Sequence, residues 1–302
     1  MGPDELRRMW DEAGGAAAES PRGHGLLGLR ATTDPAALAG AAVAALGVPL
    51  NGQAGWPAEV RAASLRYADW LPSIPGGCRA VDYGDVDVVG DDPAVAFMQA
   101  HERLADIVAA AATPLVVGGD PLVTLPVLQV LSGKLRGRLG VVAFTPHVEV
   151  TPDPPYSASS RWARSLELGV PAPANLVLVG TRTGPQAAVA HTVLERLGAA
   201  VFTLDEVERH GARVVAQEAL ELAAAGTEAV YLSVDVGVVA GLGDPVGLQA
   251  RELLAGIEVV SSALLAAADI CAGRRAAASP GSAALAARAA AAVAAGIARR
   301  LS

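Results

Sequence analysis

Leu139-Gly-Val-Val-Ala-Phe-Thr-Pro-His-Val-Glu149 is a short apolar run that stops abruptly at His147 and Glu149. Apolar residues without helical spacing, closed by turn formers, read as a buried strand. Polar residues just past the carboxyl end of such a strand lie where open α/β sheets build their sites. Two other runs share the shape: Pro114-Leu-Val-Val-Gly-Gly-Asp-Pro121 ends in Asp120, and Ala229-Val-Tyr-Leu-Ser-Val-Asp-Val236 ends in Asp235. As parallel neighbours, these three strands would gather Asp120, His147, Glu149 and Asp235 at one edge of a sheet.

Outward from these runs, strand and helix signals alternate almost throughout. Strands are expected at Ala42–Val48, Arg79–Asp87, Leu176–Val179, Ala200–Thr203 and Leu264–Cys271. Helices are expected at Ala58–Leu71, Pro93–Ala111, Leu122–Leu135, Trp162–Leu168, Gln186–Leu197, Arg213–Ala225, Arg251–Ile257 and Ser282–Leu301. This order predicts an α/β protein with a mainly parallel central sheet. Residues 1–35 read as a loosely attached arm with a short helix near Asp4–Trp10, and residues 36–302 as one α/β domain. The stretch Thr151–Ser160, rich in Pro and Ser, is a loop placed to act as a lid.

Within Pro93–Ala111, the residues Phe97, Met98, His101, Leu104, Ile107 and Val108 fall at spacings of three and four, which predicts a buried face with His101 at its edge. The acidic tail Asp82, Asp85 and Asp87 reads as a solvated turn rather than a cation site. Asp120, next to Gly119, is placed to accept backbone N–H bonds as an N-cap. Arg182 follows a strand and is a candidate to receive a carboxylate, with a solvated turn as the plainer reading. Cys271, alone at a strand end, reads as a small buried hydrophobe.

Composition narrows the function classes. A net charge of -8 with 23 Lys and Arg argues against a nucleic-acid surface. Cys78 and Cys271 form no C-x-x-C pair, which fits a reducing compartment. No stretch joins about 18 strongly apolar residues, since the Ala-rich tail is broken by Arg288, Arg299 and Arg300. A soluble, cytoplasmic protein without membrane partners is therefore expected.

At the three strand ends the sequence resembles the ureohydrolase family, which includes arginase, agmatinase, guanidinobutyrase and formimidoylglutamase. Gly47-Val-Pro49 with Asn51-Gly52, the helix containing Arg61, Gly118-Gly-Asp120, the strand into His147, Tyr231-Leu-Ser-Val-Asp235 and the closing Ala-rich helix stand in the family's order. The resemblance implies a three-layer αβα, arginase-like fold. It also implies a paired manganese site, in which two ions held by Asp and His activate water. Here those ligand positions carry Pro121, Thr145, His147, Glu149, Asp235 and Gly237, so three residues of suitable chemistry remain. The family's proton-transferring histidine falls near Ala158, and its substrate-contacting glutamate falls on Ala272.

Neutral residues at such positions relieve the repulsion that buried carboxylates would feel without cations. The expectation is thus a ureohydrolase-fold protein that has lost its manganese pair and acts as a structural, regulatory or small-molecule-binding subunit. No metal cofactor is expected. The alternative is a divergent hydrolase of a C–N bond in a guanidino or amidino compound. It would use one manganese or other divalent ion on His147, Glu149 and Asp235, or His147 as a metal-free base. Family resemblance implies a homo-oligomer, trimer or hexamer, or a pairing with an active homologous subunit.

Overall fold

A computed structural model describes residues 24–50, 55–68, 78–87, 93–135, 138–152 and 156–301, with Glu5, Arg8 and Met9. The short helix expected near Asp4–Trp10 lies outside the continuous segments, as does part of the expected lid. Among the described residues, eight strands form one sheet: β1 (Val43–Val48), β2 (Ala80–Asp85), β3 (Thr113–Gly118), β4 (Leu139–Phe144), β5 (Leu176–Thr181), β6 (Ala200–Thr203), β7 (Ala229–Asp235) and β8 (Leu265–Cys271). Their order is β2-β1-β3-β8-β7-β4-β5-β6, and every pairing is parallel.

The apolar runs are continuous because both faces of each strand are covered, as parallel sheets require. Side-chain alternation splits the core in two. Val142 and Phe144 of β4, with Leu232 and Val234 of β7, face the helices Ala212–Ala224, Ala250–Val260 and Ser282–Leu301. Leu139, Val141 and Ala143, with Tyr231, face the opposite layer, which includes Pro93–Ala109 and Thr124–Leu135. The result is three layers, helices on a parallel sheet on helices.

The closing helix Ser282–Leu301 finds its partner surface within the chain, against the helices Trp56–Ser64 and Ala250–Val260 and strand β8. Its alanines let it approach closely. A Cβ on Gly296 would come within 2.7 Å of the Ser261 carbonyl oxygen, so only glycine fits. Among the described residues this helix is the one long and apolar enough to cross a membrane, and 72% of its apolar window is buried inside the fold.

Three expectations are corrected. On Pro93–Ala109 the buried stripe is Ala96, Ala100, Leu104 and Ile107, whereas Met98 is 58% exposed and His101 is also exposed. Two small alanines join Leu104 and Ile107 on the buried stripe, which turns the helix relative to the expected face. Asp82 is not a solvated turn residue: it is fully buried, and Arg61 reaches it through Nε at 2.7 Å and Nη2 at 3.0 Å, and Asp85 through Nη1 at 2.5 Å. Within the stretch read as a loose arm, Leu26 and Leu27 are buried in the core. Their backbone N–H groups donate to Asp82 Oδ2 and Ser64 Oγ.

Candidate functional site

Strands β3 and β4 are consecutive in sequence yet separated in the sheet by β8 and β7. Such a gap between chain neighbours opens a crevice at the carboxyl ends of the strands. The three runs singled out in the sequence are therefore not mutual neighbours: β4 pairs with β7, and β8 stands between β7 and β3. Their ends nonetheless meet in one cavity of about 370 Å³, whose lining includes Asp120, His147, Glu149, Arg182 and Asp235.

Asp120, Asp235, Arg182 and Glu149 each have a local partner. Asp120 Oδ1 accepts from Leu122 N at 2.9 Å and starts a short 3-10 turn, Pro121–Val123, as an N-cap does. Asp235 Oδ1 accepts from Gly237 N at 2.8 Å. Arg182 sends Nε to the Val246 carbonyl (2.7 Å) and Nη2 to the Gly237 carbonyl (2.8 Å), so it fastens the loop after β7. His147 is exposed at the mouth, while Glu149 turns inward on a left-handed backbone with φ of 47°. A left-handed conformation is costly for a residue with a Cβ and persists where surrounding contacts hold it.

What holds Glu149 is Arg161, a residue outside the site expected from the sequence. Arg161 begins the helix Arg161–Glu167 and is fully buried beside Trp162, with its guanidinium carbon 4.6 Å from the indole centroid. A cation at the first helical position opposes the helix dipole, so its placement answers to other charges. Nε lies 2.6 Å from Glu149 Oε2, an ion pair whose N–H is not aligned as a hydrogen bond. Nη2 donates to Thr145 Oγ1 at 3.0 Å, and Nη1 to the Pro121 carbonyl at 3.2 Å and Thr124 Oγ1 at 3.4 Å. Beneath it, Asp269 Oδ2 accepts from Thr124 Oγ1 (3.0 Å) and from the Tyr231 hydroxyl, and Oδ1 accepts from Ser233 Oγ (3.2 Å).

One guanidinium thus serves three buried acids. Burial pushes the Glu149 carboxyl up to about 8, with Asp235 and Asp120 adding to the shift and Arg161 opposing it. Burial also raises Asp235 and Asp269, again against Arg161. Burial works against the Arg161 charge, and Glu149, Asp235 and Asp269 outweigh it, so the guanidinium keeps its proton. At the mouth, desolvation and then the charges of Arg182 and Arg161 lower the His147 pKa. Cys271 is fully buried, and burial pushes its thiol far up, which leaves it a poor nucleophile.

A sequence model of the arginase family matches residues 34–296. The chain belongs to the arginase family. A guanidinopropionase of Pseudomonas aeruginosa is 32% identical over 267 residues, covering 80% of this chain and 82% of that protein. Among solved structures, a hypothetical agmatinase from Burkholderia thailandensis superposes with a TM-score of 0.79 at 24% identity, over 95% of this chain and 98% of the other. Proclavaminate amidino hydrolase from Streptomyces clavuligerus gives 0.75 at 23% identity, over 94% and 98%. The expected arginase-like fold is thus the fold found.

The six positions at which this family resemblance places manganese ligands do not fit a pair of ions here. Pro121 offers only its carbonyl, and that oxygen, Thr145 and Glu149 all face the Arg161 guanidinium. Gly237 has no side chain to offer, and a Cβ there would stand 3.0 Å from Asp235 Oδ1. Among the described residues, no group of three or more His, Cys, Asp or Glu is arranged to hold a metal ion.

Proposed function

We propose that this arginase-family chain is a non-catalytic member that keeps the fold for a structural, regulatory or ligand-binding role. The observation that carries this reading is the Arg161 guanidinium. It contacts three of the six former ligand positions and supplies, from the chain itself, the positive charge that divalent ions would otherwise bring to buried acids. Single-ion hydrolysis through His147, Glu149 and Asp235 would require Glu149 to leave Arg161 and His147 to swing in from the mouth. Metal-free catalysis by His147 would leave neither Glu149 nor Asp120 to orient it, since Glu149 is turned to Arg161 and Asp120 to a backbone N–H.

In this reading residues 36–302 act as one domain, the protein is cytoplasmic, and it assembles as a homo-oligomer or beside an active homologue. The test is metal content of the native chain after manganese loading and removal of free ion, with urea release from guanidino compounds assayed on the same sample. The expected outcome is no stoichiometric ion and no urea. Two tightly held ions per chain, or sustained urea release, would overturn the proposal.

A further inference from the structure

The cavity above Arg161 combines acids and bases, and charge alone does not select its ligand. Asp120, Glu149, Asp235 and Asp244 line it against Arg182, Arg274 and Arg275. Hydrogen-bond bookkeeping favours an acceptor ligand, because each lining carboxylate keeps at least one partner within the chain whereas two guanidinium groups, which only donate, keep none among the described residues. Every lining carboxylate already has a donor or cation of its own chain: Leu122 N for Asp120, Arg161 for Glu149, Gly237 N for Asp235 and Val246 N for Asp244. Arg274 and Arg275 also line it, both exposed, and neither guanidinium has a hydrogen bond or ion pair among the described residues. Arg182 uses Nε and Nη2 on carbonyls, which leaves Nη1 without an acceptor among the described residues.

The backbone that carries these donors is anchored. Gly273 to Ala276 follow directly on β8, and the Arg275 backbone packs against Gly243, where a Cβ would come within 3.3 Å of it. At about 370 Å³ the cavity suits a small molecule. Arginine forks pair bidentately with carboxylate and phosphate oxygens, and such charge-assisted bonds are about twice as strong as neutral ones.

We propose that this cavity binds a small oxyanion, a carboxylate or phosphate group held by Arg274 and Arg275 with Arg182 at its edge. The proposal rests on the non-catalytic reading, in which Arg161 and not a metal fills the floor. Titration calorimetry on the full, chelator-treated chain tests it with three probes: malonate, inorganic phosphate and methylguanidinium. One anion is expected to bind once per chain, with affinity at least about tenfold weaker in R274Q/R275Q, a change of about 1.4 kcal/mol. Whichever anion binds identifies the source of the oxyanion. Methylguanidinium is expected not to bind.

Absence of binding by both anions, undiminished binding in the double variant, or preferential binding of methylguanidinium would overturn the proposal. Circular dichroism and melting of the double variant, which alters only exposed side chains, separate lost binding from lost folding. None of these outcomes depends on ion content or urea release, so failure of the oxyanion site is distinguishable from failure of the non-catalytic reading.

Discussion

Replacing Arg161 by Met keeps most of the side-chain volume and removes the charge and the donors. Pro121 O, Thr145 Oγ1 and Thr124 Oγ1 lose their guanidinium donor, and the acids Glu149, Asp235 and Asp269 lose their buried counter-cation. Removing one partner of a buried ion pair costs about 3–5 kcal/mol. Unfolding entropy of about 2.1 cal/mol/K per residue, taken over the 302 residues of the chain, converts that to a fall in Tm of about 5–8 °C. Urea denaturation above pH 8, where the Glu149 carboxylate is ionised, reads the change directly. Adding D235N, which retains an oxygen for the Gly237 N–H, should restore part of the loss, with a coupling of at least about 1 kcal/mol. A cost below about 1 kcal/mol for R161M, or strict additivity in the double variant, would refute the view that this guanidinium balances the site.

Other outcomes follow from the same geometry. Because the Glu149 pKa is raised, the folded chain binds more protons than the unfolded chain between the ordinary carboxyl range and about 8, so this group's contribution is full at acid pH and is lost as pH rises through 8. The slope attributable to it is at most about 1.4 kcal/mol per pH unit, and E149Q should flatten the stability profile over that window. Replacing Arg61 by Met should cost about 3–5 kcal/mol in chemical denaturation, since it strips the fully buried Asp82 of its bidentate partner. G296A should lower stability by about 1–3 kcal/mol, because the added methyl meets Ser261 backbone that cannot step aside.

The parts of this fold legible in the sequence are those that local pattern dictates. The runs before Asp120 and His147, and the run ending in Asp235, announce buried strands through continuous β-branched and aliphatic residues, and the N-cap role of Asp120 follows from its neighbours. Arg161 was not legible, since its meaning lies in convergence with Glu149 twelve residues earlier and with Asp269 on the last strand. A signal did exist: an arginine at the positive end of a helix, twelve residues after an acid just past a strand end. Arg61 and Asp82 illustrate the same difficulty, because a pair separated by 21 residues shows no spacing rule. The face of Pro93–Ala109 escapes the sequence pattern for another reason. Alanine counts little in a hydrophobic pattern, yet Ala96 and Ala100 set the approach to the sheet.

The strand order carries a consequence for synthesis. The middle of the sheet, β8 and β7, is made last, after β2-β1-β3 and β4-β5-β6 have already emerged. Until then the nascent chain holds two three-stranded ribbons whose inner edges, β3 and β4, have unpaired backbone and only each other or a foreign strand to join. Closing the gap wrongly, β3 on β4, would abolish the crevice before it existed. The C-terminal quarter of the chain is therefore a wedge that keeps the halves apart, and premature termination before Ala229 should yield aggregation-prone fragments rather than a smaller folded protein.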